Sequence, residues 1–170
     1  LAMKNNLILQ VLSSITKKDG TFILDEKNMI EKAIVSGVSY SKNESKITIS
    51  GIPDKPGISA QIFGLLADKN INVDMIVQNI SQDGILANIT FTVPNLEINS
   101  AKELLKNNKD NINYQSLSSD ENVSKISVIG MGMMSQSGVA KKMFKTLANN
   151  SINILAISTS EIKISVLINE

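Results

Sequence analysis

Residues 57-GISAQIFGLLADKNIN-72 and 138-GVAKKMFKTLANNSIN-153 are two versions of one segment, displaced by a constant 81 positions. Gly57 pairs with Gly138, Phe63 with Phe144, Leu66 with Leu147 and Asn72 with Asn153. A register kept from a glycine, along a helix-length stretch and into the next element, points to an internal duplication. The strand-like runs ahead of them, 47-ITISG-51 and 126-ISVIG-130, also match. The chain therefore reads as two copies of one small module, packed together.

The first copy shows what the module is. Ile47, Ile49 and Ile52 alternate with polar residues as a strand does. Pro53 and Pro56-Gly57 break that pattern. Ile58, Ile62, Phe63, Leu65, Leu66 and Ala67 then form one helical apolar stripe. Ile71, Val73, Met75 and Val77 alternate again, a strand over 71–80. Ser81-Gln82-Asp83-Gly84 is a hairpin turn by composition, and 85–93 is the return strand. Leu96, Ile98, Ala101, Leu104 and Leu105 mark a second amphipathic helix over 96–108. Ile112, Tyr114 and Leu117 fit a short final strand. The order β-α-β-β-α-β is ferredoxin-like, which makes the fold class α+β.

The second copy has a strand at 126–130, a helix, and strands at 152–159 and 162–168, with no second helix and no fourth strand of its own. An open sheet edge there is a liability. One strand is spare, 33-AIVSGVSY-40. Placed fourth in the second sheet, it makes the first module an insertion within the second. The expected divisions are 1–28 as a leading segment, 29–44 as the strand lent to the second module, 45–119 as the first module and 120–170 as the second.

Composition narrows the chemistry. Of 170 residues, 42% are hydrophobic and 19% charged, enough for a real core. The net charge is +1 and there is no Trp, a poor basis for holding nucleic acid. The β-α-β-β-α-β order is also that of RNA-recognition modules, but their stacking aromatics are missing: strands 85–93 and 162–168 offer only Phe91. No apolar run of about 18 residues exists to span a membrane. Zero Cys and zero His remove disulfides, thiolate chemistry and Ser-His or Cys-His triads. A reducing cytoplasm is the simplest setting. No Walker A loop occurs, and 130-GMG-132 is too short and apolar for a phosphate cradle.

At this point specific runs resemble a known family. They are 34-IVSGVSY-40, 46-KITISGIPDKPG-57, 72-NVDMIVQN-79, 89-ITFTV-93 and 151-SINILAISTSEIKISVLI-168. In this order and spacing they resemble the regulatory region of aspartokinase over roughly 30–168, and the repeats resemble ACT domains. The resemblance implies tandem ACT modules, one inside the other, that sense L-lysine, L-threonine or both. It also implies a homodimer formed through these modules, and a kinase domain that phosphorylates aspartate and carries the ATP and Mg sites, with no cofactor in this chain. The run 7-LILQVLSSIT-16 with Gly20-Thr21 resembles the last strand of that kinase domain, so the chain reads as the C-terminal part of a longer enzyme. Met29 lies near an internal start that some members use for a separate small subunit. Three departures stand out. The second loop, 133-MMSQSGV-139, carries Met134, Gln136 and Ser137 where members often have a basic residue, a His and Pro-Gly. The hairpin 83-DGILANITF-91 lacks a frequent Thr-Thr-Asp, and the sequence stops before an expected closing helix.

The residues at the first helix mouth suit a free amino acid, which carries both charges. A helix N-terminus offers unpaired N–H groups and a partial positive charge to a carboxylate. Residues 57–60 stand there, with Ile58 and Ser59 among them. Gly57 permits positive φ, and Pro56 beside Lys55 fixes the turn. Asp54 can hold an ammonium, and Gln78 and Asn79 add neutral donors and acceptors. Asp-Lys-Pro-Gly is equally a good plain turn with Asp near a cap position. Asn153 with Ile154, and the run Ser158, Thr159, Ser160 and Glu161, read as hairpin residues or, by the resemblance, as the other side of a site between modules. A lysine side chain would look to Glu161; a threonine hydroxyl would look to Gln78 or Asn153.

Overall fold

The computed structural model describes residues 7–16, 18–23, 34–133 and 137–170. The chain divides into two compact units, Leu1–Ala33 and Ile34–Glu170. In the first, β1 (Leu9–Val11) and β2 (Thr21–Ile23) pair antiparallel, with Leu9 opposite Ile23 and both strands exposed. Met29 falls outside the described residues.

The second unit is one six-stranded sheet with helices. Its elements are β3 (Gly37–Pro53), α1 (Ile58–Asp68), β4 (Asp74–Ile80), β5 (Leu86–Pro94), α2 (Ile98–Asn107), α3 (Lys109–Ile112), β6 (Ser116–Ile129), α4 (Val139–Asn149), β7 (Ile154–Thr159) and β8 (Lys163–Asn169). The strand order is β4-β5-β3-β6-β8-β7. Among the described residues, no helix is long and apolar enough to cross a membrane.

β3 and β6 each serve both modules. The start of β3, Gly37–Ser41, pairs with Ile129–Lys125 of β6, and its later part, Lys46–Ser50, pairs with Asp120–Ser116. The register slips between these stretches, on either side of Glu44. β5 joins only the later part of β3, and β8 joins only the later part of β6. Each module therefore has the same order, β4-β5-β3-β6 in the first and β7-β8-β6-β3 in the second. The fourth strand of the second module precedes the first module in sequence, so the first is inserted into the second.

The apolar stripes explain the helices. Ile58, Ile62 and Leu66 of α1 and Ile98, Ala101 and Leu105 of α2 are buried against Ile47, Ile49, Ile89 and Phe91 of the sheet. Phe63 meets Phe91 edge-on at 5.4 Å, a favoured aromatic geometry. In the second module Met143 and Leu147 of α4 cover Val128, Ile164, Val166 and Ile168. A third cluster joins the modules: Met75, Val123 and Leu167, with Leu155 and Ala156 against them.

Several local expectations change. The separate strands expected at 33–40 and 47–52 are one, which starts at Gly37, because pairing with β6, joined by β5 from Glu44 onward, carries the backbone through the polar stretch 41–46. The short strand expected over Ile112, Tyr114 and Leu117 starts only at Ser116. Ile112 ends the one-turn helix α3, Asn113 turns left-handed at φ 60°, and β6 then runs on without a break to 129. The divisions expected at 44/45 and 119/120 fall inside β3 and β6. The strand expected from 71 starts at Asp74.

Candidate functional site

The first helix mouth follows from where β3 stops. Past Pro53, the Asp54 N–H donates to the Ile85 carbonyl at 2.9 Å, tying the loop to the β4–β5 hairpin. Gly57 then takes φ 93°, a left-handed conformation, and the helix begins at Ile58 with no side-chain cap. Asp54 is thus not the cap of α1; the glycine occupies that position. Gln61 N–H reaches the Gly57 carbonyl at 2.9 Å, while Ile58 N–H makes a long 3.4 Å bond to Lys55. The Ile58 side chain is buried in the core, so only its backbone belongs to the mouth. Asp54, Lys55, Pro56 and Gly57 are exposed, and among the described residues neither Asp54 nor Lys55 makes an ion pair. β4 runs past this mouth and brings Gln78 against it: Ser59 Oγ donates to Gln78 Oε1 at 3.4 Å. Asn79, next along the strand, is exposed and sits opposite Asn88.

The second mouth repeats the first. Gly138 has φ 105°, no side chain among the described residues caps α4, and Lys142 N–H donates to the Gly138 carbonyl at 3.0 Å. Here a cavity of about 470 Å³ is bounded by Ser137, Gly138, Val139 and Ala140 on one side and Thr159, Ser160 and Glu161 on the other. The β7–β8 turn that closes it is held by Ser160 N–H donating to the Lys163 carbonyl at 2.8 Å. Of the expected site residues, Thr159, Ser160 and Glu161 therefore meet the mouth of their own module. Ser158 is half-buried in β7, opposite Ser165. Asn153 and Ile154 lie at the other end of that strand, Asn153 exposed and Ile154 packed against the second core. None of residues 54–59 lines this cavity. Ser137 to Ala140 were not among the expected site residues; the offset of 81 from 56–59 was the signal that reaches them. Met134 and Gln136 lie outside the described residues.

Chemically, both mouths offer backbone N–H groups with a carboxylate nearby, Asp54 at one and Glu161 at the other. That set suits a small ligand bearing both charges, since a helix start favours anions and a carboxylate favours cations. Gly130 abuts the Ile34 backbone so closely that a Cβ would lie 2.1 Å from its carbonyl oxygen, and Met131–Met133 form a 3-10 turn rather than a phosphate cradle. Among the described residues no cluster of three or more His, Cys, Asp or Glu side chains is placed to hold a metal.

Residues 47–109 and 126–170 each match an ACT-domain family model. A crystal structure of aspartokinase alpha and beta subunits superposes at a TM-score of 0.73 with 47% identity, covering 80% of this chain and 88% of that one. The chain belongs to the aspartokinase family. The ligand-free regulatory subunit of aspartate kinase from Thermus thermophilus gives a TM-score of 0.74 at 35% identity, over 81% of this chain and 89% of that one. An aspartate kinase of Pseudomonas fluorescens is 45% identical over 170 residues, which is 99% of this chain and 41% of that protein. The chain thus spans about two-fifths of the curated aspartokinases it matches, and it is their regulatory part.

Proposed function

We propose that this chain is the allosteric sensor of an aspartokinase, binding L-lysine, L-threonine or both, for feedback control of aspartate phosphorylation. The observation that carries the reading is the duplicated helix mouth, each with a left-handed glycine, no side-chain cap and a carboxylate within the same loop cluster. The amino-acid carboxylate sits on the N–H groups of 57–60, and Asp54 takes its ammonium. Gln78 and Asn79 orient it. Asn153, Ile154 and the run 158–161 come from a facing module of a second copy, so that the site closes across a homodimer. Glu161 adds the second acid that a lysine side chain needs, while Gln78 or Asn153 serves a threonine hydroxyl.

The ligand acts by preferring one of two arrangements of the attached catalytic domain, which carries the ATP and Mg²⁺ chemistry. An effector shifts that equilibrium only by its differential affinity for the two states. Calorimetric titration of the chain with each amino acid, singly and together, tests the reading. Saturable heat with one of them is the expected result, and enhancement of the second by the first means coupled sites. Absence of heat with both, together with unchanged melting, overturns it.

A further inference from the structure

Three strands meet at Lys125. Its ammonium donates to Glu44 Oε1 at 2.7 Å and to Asp74 Oδ2 at 2.6 Å. Glu44 lies in β3 where the register slips between modules, Asp74 opens β4 of the first module, and Lys125 belongs to the part of β6 that pairs with β8. The side chains of Lys125 and Glu44 are only 15% and 12% exposed. A largely buried lysine left without its carboxylates would be costly, so the three groups hold one another in place.

Asp74 makes a second bond. Its Oδ1 accepts the N–H of Met75 at 2.7 Å. Met75 has φ 46°, which is strained for a residue with a side chain. Its side chain is buried with Val123 and Leu167 of the second module, beside Leu155 and Ala156. The equivalent positions in the second copy, Leu155 and Ala156, are not among the described residues with positive φ. The module therefore does not need this turn to form its own second strand. It occurs where the first module enters the second, and it is the carboxylate gripped by Lys125 that caps it.

We propose that Lys125 is a positioning residue for β4: through Asp74 it holds Met75 in its left-handed turn and so seats on the second module the strand that carries Gln78 and Asn79. The seating is independent of any ligand; that it governs an effector site rests on the function proposed above. Movement of β4 at the first mouth would reach the second module through Asp74 and Met75, because both bonds of Asp74 must change together.

Hydrogen exchange on the whole chain tests this. Lys125→Met should speed exchange of the amides at 75–77 and 155–157 by about tenfold, as local opening becomes easier, with amides inside α1 and the β3–β5 ladder unchanged. Asp74→Asn, on a half-exposed carboxylate, should give the same local pattern, and the double variant should add nothing further. Lys125→Arg should restore protection. Faster exchange throughout both modules, unchanged exchange at 75–77, or effects of the two substitutions that multiply would each overturn the proposal. Melting with L-lysine and L-threonine is read in parallel: if the unsubstituted chain responds to neither, the effector reading fails while the exchange data still judge Lys125.

Discussion

Gly57 and Gly138 stand 81 residues apart and take the same left-handed turn, φ 93° and 105°, immediately before α1 and α4. A Cβ built on either meets nothing within 4 Å among the described residues, so backbone freedom is the reason found for glycine there. Gly57→Ala should therefore cost about 1–2 kcal/mol, the penalty of a left-handed L-residue, with Gly57→Asn costing less. Gly138→Ala should match it. Urea unfolding of the three variants checks both the size and the ranking.

The paired leucines of the repeat differ in what covers them. Leu66 on α1 is fully buried with residues of α2 in the same core, whereas Leu147 on α4 retains 8% of its surface. Leu66→Ala should destabilise by about 3–5 kcal/mol and Leu147→Ala by nearer 2, following the usual range for deleting a buried leucine. Equal losses in denaturant unfolding would show that the two cores are equally sealed.

Asp54 is exposed and carries no load in the fold, so Asp54→Ala should leave melting unchanged. It should weaken effector binding by about 1.5–3 kcal/mol, the worth of a charged hydrogen bond. Titration calorimetry of the substituted chain measures this, and unchanged affinity would remove Asp54 from the ammonium role.

The Lys125 cluster sets a pH window. The hydrogen bond from Lys125 holds the Asp74 carboxyl below its ordinary range, against burial and with help from the Met75 N–H. Burial pulls Lys125 down, but hydrogen bonds to Asp74 and Glu44 outweigh it and leave its pKa raised. A depressed carboxyl stabilises the folded chain above its unfolded pKa, and that contribution is lost as pH falls through the lower folded value. A raised lysine stabilises below its unfolded pKa, and that is lost as pH rises through the higher folded value. Stability should thus be flat near neutrality and fall at both ends, below the ordinary aspartate value of 3.8 and above the ordinary lysine value of 10.5. Lys125→Met should abolish the alkaline loss due to this group and shrink the acid one. Urea midpoints across pH decide it.

The module and its duplication were legible because repeated apolar spacing survives where other identities drift, as Phe63 with Phe144 and Leu66 with Leu147 show. The continuity of β3 and β6 was not. Residues 41–46 and 118–122 are polar and carry no alternation, and the antiparallel pairing of β3 with β6, joined by β5 from Glu44 onward, keeps them extended. Met75 read as one more apolar residue of an alternating strand; its turn into the second module depends on Asp74 and Lys125, 51 positions apart in sequence, and no local pattern records that. At the candidate site, glycine and turn residues marked the first mouth. The cavity at the second forms from 137–140 and 159–161, two segments separated in sequence by α4 and β7.

The most direct measurement is amide chemical-shift mapping of the chain during titration with L-lysine and then L-threonine. Saturable shifts centred on 54–60 and 78–79, and on 153–161, are expected for at least one of the two. Saturable shifts centred elsewhere, such as the groove between Lys69 and Glu103, or no saturable shift with either amino acid, would contradict the proposed function.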